Sequence, residues 1–485
     1  MTLKQKTISG LLWSFIDNIA SLGIAFIIGI ILARLLSPKE FGLIGMLTIF
    51  IAISQSFIDS GFRQALIRKQ NCTPADYSTV FYFSLVISVL FYILLFVCAK
   101  SISIFFHEPI LKELIRVLGF GLIINSFTII QSTLLTKHID FKLQAKISVI
   151  SSLISGIIGI YMAYTGWAVW SLVASALTKN TIASFLLWFW TKWKPIWYFS
   201  LDSFKVLFSF GSKLLISGLI DTIYRNIYYL VIGKYFTAVE LGYYTRADQF
   251  QALPSSNLQG IIGRVSYPVL LTIQDDIPRL REAYKKLIRS TMLITFVLML
   301  GMAAVARPMI LTLIGVKWEP SIVYLQMLCF VGMFYPLHAL NLNMLQVQGR
   351  SDLFLRLEII KKVLAVPIII IGIIWGIKAM ILGMIANTLI AYYLNSYWSG
   401  SYIGYSFFAQ IKDIIPSLLL AIIMSSLVFV EGFLITLPPL PLLIIQVVSG
   451  AILIFGLCEG FHFKDYHYIK EIIKEKIFIH KSNDR

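Results

Sequence analysis

Apolar runs of about 20 residues recur along the whole chain, each closed by a short break of charge, proline or glycine. A helix needs about 20 apolar residues to cross a bilayer. Taking the breaks as boundaries predicts spans at about 8–34, 41–63, 77–99, 113–136, 146–165, 167–190, 206–233, 240–268, 287–311, 321–345, 354–376, 379–400, 414–433 and 440–459. About fourteen helices of about 22 residues use roughly 310 of the 485 positions, leaving no room for a sizeable soluble domain. The expected fold is an all-α polytopic membrane protein. The eighth span is unusually polar.

Composition narrows the class further. The chain is 58% hydrophobic and 13% charged, against about 45–50% and about 25% in soluble domains. That excludes a cytosolic enzyme, a secreted disulfide scaffold and a disordered chain. The formal net charge of +17 comes from 41 Lys and Arg against 24 Asp and Glu. In a membrane protein it reflects loops facing anionic lipid, so membrane lipids and not nucleic acid are the expected partners. Cys72, Cys98, Cys329 and Cys458 show no metal or disulfide spacing, and the six His form no cluster. No cofactor or metal is expected. The start, Met1 to Lys6, is basic, but the apolar stretch after it is too long for a cleaved signal, so the first helix is expected to stay as an anchor.

Basic residues predict orientation. With the N-terminus in the cytoplasm, the inward loops and tail carry about two dozen Lys and Arg, including Arg68/Lys69, Lys137/Lys142/Lys146, Lys192/Lys194/Lys205 and Arg279/Arg281/Lys285/Lys286/Arg289. The outward loops carry about eight, among them Lys39, Lys234 and Lys317. This bias predicts both termini inside and an even number of spans. Trp188, Trp190, Trp193 and Trp197 sit where an interfacial aromatic belt is expected.

The chain also repeats. Ala33 to Gly42 matches Gly233 to Gly242 at an offset of 200 residues, placing Arg34 on Lys234, Ser37 on Thr237, Glu40 on Glu240 and Gly42 on Gly242. Ile16-Asp17 has a counterpart in Ile220-Asp221, shifted by about one helical turn. Six spans separate the copies, so they share one orientation. The chain divides into a six-helix lobe at 1–200, a second at 201–402, two further helices at 403–460 and a basic tail at 461–485. Parallel repeats of this kind suit alternating access with substrate between the halves.

No GxxxxGK[ST], HExxH, CxxC pair or GxSxG occurs, and no outward loop is long enough for a glycan-handling domain. The informative residues are charges within spans. Translocon scales put the cost of one at a helix centre at about 2.5–3.5 kcal/mol, so such charges face a cavity or a partner. Asp17 lies in the first span, Lys179 in the sixth, and Lys213, Asp221 and Arg225 along the seventh. Asp221 and Arg225 are i,i+4 and share a face. The eighth holds Arg246, Asp248, Gln249, Gln251, Asn257, Gln259 and Arg264 with Pro254, and the eleventh Arg356, Glu358, Lys361 and Lys362. Lys179, Lys213, Arg225, Arg246 and Lys361 are candidate ligands for a phosphate-bearing substrate. Alternatively they pair with Asp17, Asp221, Asp248 and Glu358 or snorkel to the interface. Asp17, Asp221 and Asp248 are candidates for coupling to a proton or Na⁺, since a buried carboxylate can hold a proton near neutral pH. Asp59 and Arg63 are expected to form a helix-end ion pair. The segment 465–481 is either an amphipathic surface helix or a solvated basic tail.

Gly10-Leu-Leu-Trp-Ser-Phe-Ile-Asp-Asn18 followed by Leu32-Ala-Arg-Leu-Leu-Ser-Pro-Lys-Glu-Phe-Gly-Leu-Ile44 resembles the bacterial polysaccharide flippases. These are the Wzx-like exporters of the multidrug/oligosaccharidyl-lipid/polysaccharide exporter superfamily, and the colanic-acid-exporter branch is the most similar. The resemblance implies two six-helix lobes, often with two extra helices, around a cavity that opens alternately, as in the multidrug (MATE-like) exporters. It implies an undecaprenyl-diphosphate-linked oligosaccharide as substrate, with the diphosphate in a cationic cavity, the glycan along the polar eighth helix and the prenyl tail in lipid. It also implies a bacterial cytoplasmic-membrane location, partners among polysaccharide polymerase and assembly proteins, and a coupling role for Asp17. A drug or metabolite exporter of the same fold is the alternative, and an acidic, apolar-lined cavity would favour it. A membrane glycan polymerase would carry a large outward loop, and a scaffold subunit would need no polar helices at depth.

Overall fold

The computed structural model describes residues 3–471, with the backbone alone at 3–12, 14–19, 264–265 and 351. Every regular element in that range is helical, and the chain divides into two compact units at Gly242. The first unit holds α1 (Leu3–Leu35), α2 (Pro38–Asp59), α3 (Phe62–Arg68), α4 (Pro74–Phe106), α5 (Leu111–Ser126), α6 (Ile129–Lys137), α7 (Phe141–Tyr164), α8 (Val169–Trp190) and α9 (Leu201–Tyr235), together with the opening turn of α10 (Ala238–Leu271). The second holds the rest of α10, then α11 (Ile277–Ala304), α12 (Ala306–Leu313), α13 (Ser321–Gly332), α14 (Tyr335–Val347), α15 (Ser351–Trp375), α16 (Ile377–Ile403), α17 (Phe407–Leu434) and α18 (Pro439–Gly460). In the first unit α1 packs on α7, α7 on α8, α4 on α5 and α2 on α9; in the second, α11 packs on α17, α15 on α16 and α17 on α18.

Among the described residues ten helices are long and apolar enough to cross a membrane, and the pair α5 and α6, bent by 42°, makes an eleventh. The bend falls at Thr128, whose hydroxyl donates to the Asn125 carbonyl at 2.7 Å. α10 carries too many polar groups to qualify by hydropathy, and α15 carries five charges in its first half, Asp352, Arg356, Glu358, Lys361 and Lys362. Of α1, the described part contributes the apolar stretch Ala20–Leu35. A total of fourteen results when these three long helices are counted as spans as well.

The surface is what a bilayer requires. Val97, Phe433 and Ile452 are each about two-thirds exposed or more, among apolar side chains over many helices that water would not tolerate in such number. Inside, small polar residues such as Ser78, Thr79, Ser84 and Ser88 are fully buried on α4, where they let helices approach closely.

Helix ends follow capping chemistry more closely than hydropathy. The run at 77–99 becomes α4, which starts earlier, because Thr73 and Asp76 form a capping box: the Thr73 N–H donates to Asp76 Oδ2 at 2.8 Å and the Asp76 N–H to Thr73 Oγ1 at 3.3 Å. The repeated turn is built the same way in both copies. The Ser37 N–H donates to Glu40 Oε2 at 2.7 Å, and the Thr237 N–H to Glu240 Oε2 at 3.0 Å. The matched glycines are reciprocal. A Cβ on Gly42 would lie 1.6 Å from the Ala238 carbonyl oxygen, and one on Gly242 would lie 1.9 Å from that of Pro38. Each copy opens a helix whose second turn rests directly on the first residue of the other copy's helix.

Two expectations change. Asp59 and Arg63 form no ion pair among the described residues; instead the Arg63 backbone N–H donates to Asp59 Oδ1 at 3.4 Å, capping α3. The start of the basic tail, 464–471, is helical. Its apolar side, Tyr466 and Ile469 with the preceding Phe463, packs on Leu293, Leu420 and Cys458, so it covers the ends of helices of its own unit. The expectation for 472–481 lies outside the described residues.

Candidate functional site

Lys213, Ser217, Asp221 and Arg225 recur at every fourth position of α9 and are all exposed. A helix turns once in about 3.6 residues, so these four form one stripe about 18 Å long. α9 is 35 residues long, and the stripe occupies its middle. The register is held from the other side. Thr222 faces α2, where its hydroxyl meets Ser56 Oγ at 3.1 Å, and its carbonyl accepts from Asn226 Nδ2 at 2.8 Å. Asp221 and Arg225 are nonetheless exposed. Among the described residues neither Lys213 nor Arg225 has an ion-pair partner, so the i,i+4 pair of Arg225 with Asp221 does not form; Asp221 itself is engaged elsewhere. Gly218 beside the stripe faces open space.

Lys179 is the eleventh residue of the 22 in α8, within the polar run Thr178-Lys179-Asn180-Thr181. It is exposed and has no ion-pair partner among the described residues. Thus three of the five candidate cations, all in the first unit, are mid-span, exposed and not neutralised.

The two in the second unit are held differently. Arg246 is buried on α10, donates from Nη1 to Gln249 Oε1 at 2.9 Å, and lies 5.9 Å from the ring centre of the fully buried Trp318. Lys361 pairs with Glu358 one turn earlier on α15, and Lys362 lies 3.8 Å from the same carboxylate. Further along α10, Gln251 donates to Ser255 at 2.8 Å, and Asn343 of α14 donates to Ser266 at 2.8 Å. Gly260 and Gly263 there face open space. Asp248 is half-buried and engaged. Asp17 lies on α1, and its side chain is outside the described residues.

Sequence reading missed several polar contacts because their partners sit on different helices. Asn125 donates to Gln55 Oε1 at 2.9 Å, joining α5 to α2. Tyr284 donates to Asn341 Oδ1 at 3.0 Å, joining α11 to α14. Lys137, read as an inward-loop charge, donates to the carbonyls of Leu66 and Lys69 at 3.1 and 2.5 Å and thereby closes the C-terminal end of α3.

Comparison with known proteins bears on this arrangement. The family described as "Polysaccharide biosynthesis protein" matches residues 31–323, more than half of the chain. The chain belongs to this family. The resemblance carried by the first copy of the repeat is thereby borne out. Among its relatives, the lipopolysaccharide biosynthesis protein WzxC of Escherichia coli (strain K12) is 25% identical over 422 residues, 86% of this chain and 83% of WzxC. In three dimensions the family member resembles the lipid II flippase MurJ in its inward closed conformation, with a TM-score of 0.75 at 16% identity over 95% of this chain and 99% of MurJ. It also resembles an inward-facing multidrug resistance MATE transporter, with a TM-score of 0.63 at 16% identity over 81% and 98% of the two chains. The all-helical, MATE-like fold expected from the sequence is the fold found.

Proposed function

We propose that the chain is a flippase that moves undecaprenyl-diphosphate-linked oligosaccharide repeat units across the bacterial cytoplasmic membrane for surface polysaccharide biosynthesis, by alternating access. The observation that carries this reading is the exposed stripe Lys213–Ser217–Asp221–Arg225 in the middle of α9. Each charge placed against acyl chains at that depth would cost about 2.5–3.5 kcal/mol. A face with three of them is stable only against water or a polar ligand. Two of the three are cations without ion-pair partners among the described residues, which suits a diphosphate that offers several acceptor oxygens and fixed negative charge. The comparisons point in the same direction: the relative WzxC is named for lipopolysaccharide biosynthesis, and MurJ, similar in fold, for flipping lipid II.

In this reading Lys179, Lys213 and Arg225 are the first contacts of the diphosphate. Arg246, oriented by Gln249, and Lys361, steered by Glu358, add positive charge along the path. Asp17, Asp221 and Asp248 are the candidates for ion coupling. The repeat organisation at 1–200, 201–402 and 403–460, the cytoplasmic termini, and docking to polymerase or assembly proteins belong to the same proposal.

The test is surface polysaccharide in cells whose only copy is Lys213→Ala/Arg225→Ala, with membrane abundance measured alongside. We expect polysaccharide to fall at least tenfold at unchanged abundance. Normal polysaccharide would remove the stripe from the substrate path, and export of cationic drugs with no effect on polysaccharide would favour the multidrug alternative.

A further inference from the structure

A second cluster of charge lies outside the stripe and independent of the flippase reading. Glu282, Lys285, Lys286 and Arg289 stand at i, i+3, i+4 and i+7 of α11 and so share one face. The helix 464–471 lies beside that face and adds Lys464, Asp465 and Tyr468. Together these residues line a cavity of about 200 Å³. Since a water takes about 30 Å³ of liquid volume, the space exceeds that of several waters and admits a phosphate group.

The ion pairs in the cluster leave charge over. Arg289 binds Asp465 at 2.9 Å, and Lys285 lies 3.4 Å from Asp413 of α17. Burial pushes the Asp465 carboxyl up, and Arg289 only partly offsets that. Lys286 lies 5.8 Å from the Tyr468 ring centre, and both Lys286 and Lys464 are exposed without an ion-pair partner among the described residues. Four cations face three carboxylates, Glu282, Asp413 and Asp465, for a local balance of +1.

The position of the cavity matters as much as its charge. The part of α11 that lines it is charged, whereas from Ser290 to Ala304 α11 has no charged residue. The cavity therefore sits where a spanning helix leaves the apolar core for the head-group layer. Next to it Tyr466 meets the ring of Phe455, which is 58% exposed on α18 among other outward apolar side chains. We propose that this cavity binds the phosphodiester head group of an anionic phospholipid, with Lys286 and Lys464 as its ion-pair partners and Tyr468 as a hydroxyl donor, and that the bound lipid fastens the helix 464–471 to α11. A phosphodiester carries one negative charge, which balances the cluster, and basic residues at a membrane surface each add about 1 kcal/mol toward anionic lipid.

The experiment is thermal unfolding of the purified full chain in a neutral detergent, titrated separately with short-chain phosphatidylglycerol, short-chain phosphatidylcholine and inorganic phosphate. Phosphatidylglycerol should raise the unfolding midpoint saturably, and the other two should not at matched concentration. In Lys286→Ala/Lys464→Ala the half-saturating concentration should rise roughly 30-fold. Lys286→Arg/Lys464→Arg should respond as wild type, and it decides the outcome if the alanine variant is unstable before any addition. Equal effects of phosphatidylglycerol and phosphatidylcholine, an equal effect of inorganic phosphate, or an unchanged response in the alanine variant would overturn the proposal. So would a loss of response in the arginine variant.

Discussion

At the scale of single residues, function depends on which charges are neutralised. Lys213, Arg225 and Lys179 have no ion-pair partner among the described residues, whereas Lys361 is held by Glu358 and Arg246 is buried against Gln249. Arg225→Lys should retain part of the export activity, because an ammonium keeps the charge but not the planar donor fork; polysaccharide yield reads the difference between lysine and alanine at this position. Lys137 presents the opposite case, a cation used for structure. Lys137→Ala leaves the Leu66 and Lys69 carbonyls without this donor, so it should destabilise the protein by about 1–3 kcal/mol and lower the unfolding midpoint without changing substrate selectivity. The i,i+4 spacing of Asp221 and Arg225 was legible because it lies within one helix. The roles of Lys137, Thr222 and Asn125 were not, because each depends on a residue of another helix that only folding brings near.

At the scale of elements, the repeated turn is the most constrained feature. Ser37–Glu40 and Thr237–Glu240 make the same cap, and Gly42 and Gly242 lie against the carbonyls of Ala238 and Pro38. Glu40→Ala and Glu240→Ala should each cost about 1 kcal/mol, the usual worth of an N-terminal cap, visible as equal small drops in the unfolding midpoint. Gly42→Ala and Gly242→Ala should cost about 3 kcal/mol or more, because the new methyl meets a backbone oxygen that cannot move aside like a flexible side chain; the yield of folded protein after extraction measures this. The match of Glu40 to Glu240 and of Gly42 to Gly242 could be read from the sequence as a repeat. The reciprocal contact could not, because a repeat says that two turns are alike and nothing about whether they touch. Helix breaks were equally hidden. The apolar run 113–136 gives no sign of the bend between α5 and α6, which local bonds of Asn125 and Thr128 accommodate.

For the whole molecule, hydropathy alone finds ten or eleven spans among the described residues, and the expected fourteen would require α1, α10 and α15 to cross the membrane as well. The two last fall short because they carry polar and charged groups, which is the property a transport path needs. The even count proposed here would put both termini on one side. Reporter fusions should therefore place loops 64–76 and 272–286 in the cytoplasm, and an external signal from either would break the topology. The most direct test of the account is reconstitution of the purified chain in vesicles loaded on one leaflet with an undecaprenyl-diphosphate-linked oligosaccharide, with arrival of the glycan on the opposite face followed by an impermeant glycan-cleaving enzyme. The wild-type chain should make the glycan accessible, and Lys213→Ala/Arg225→Ala should slow its appearance at least tenfold. No movement by the wild-type chain, or equal movement by the variant, would contradict it.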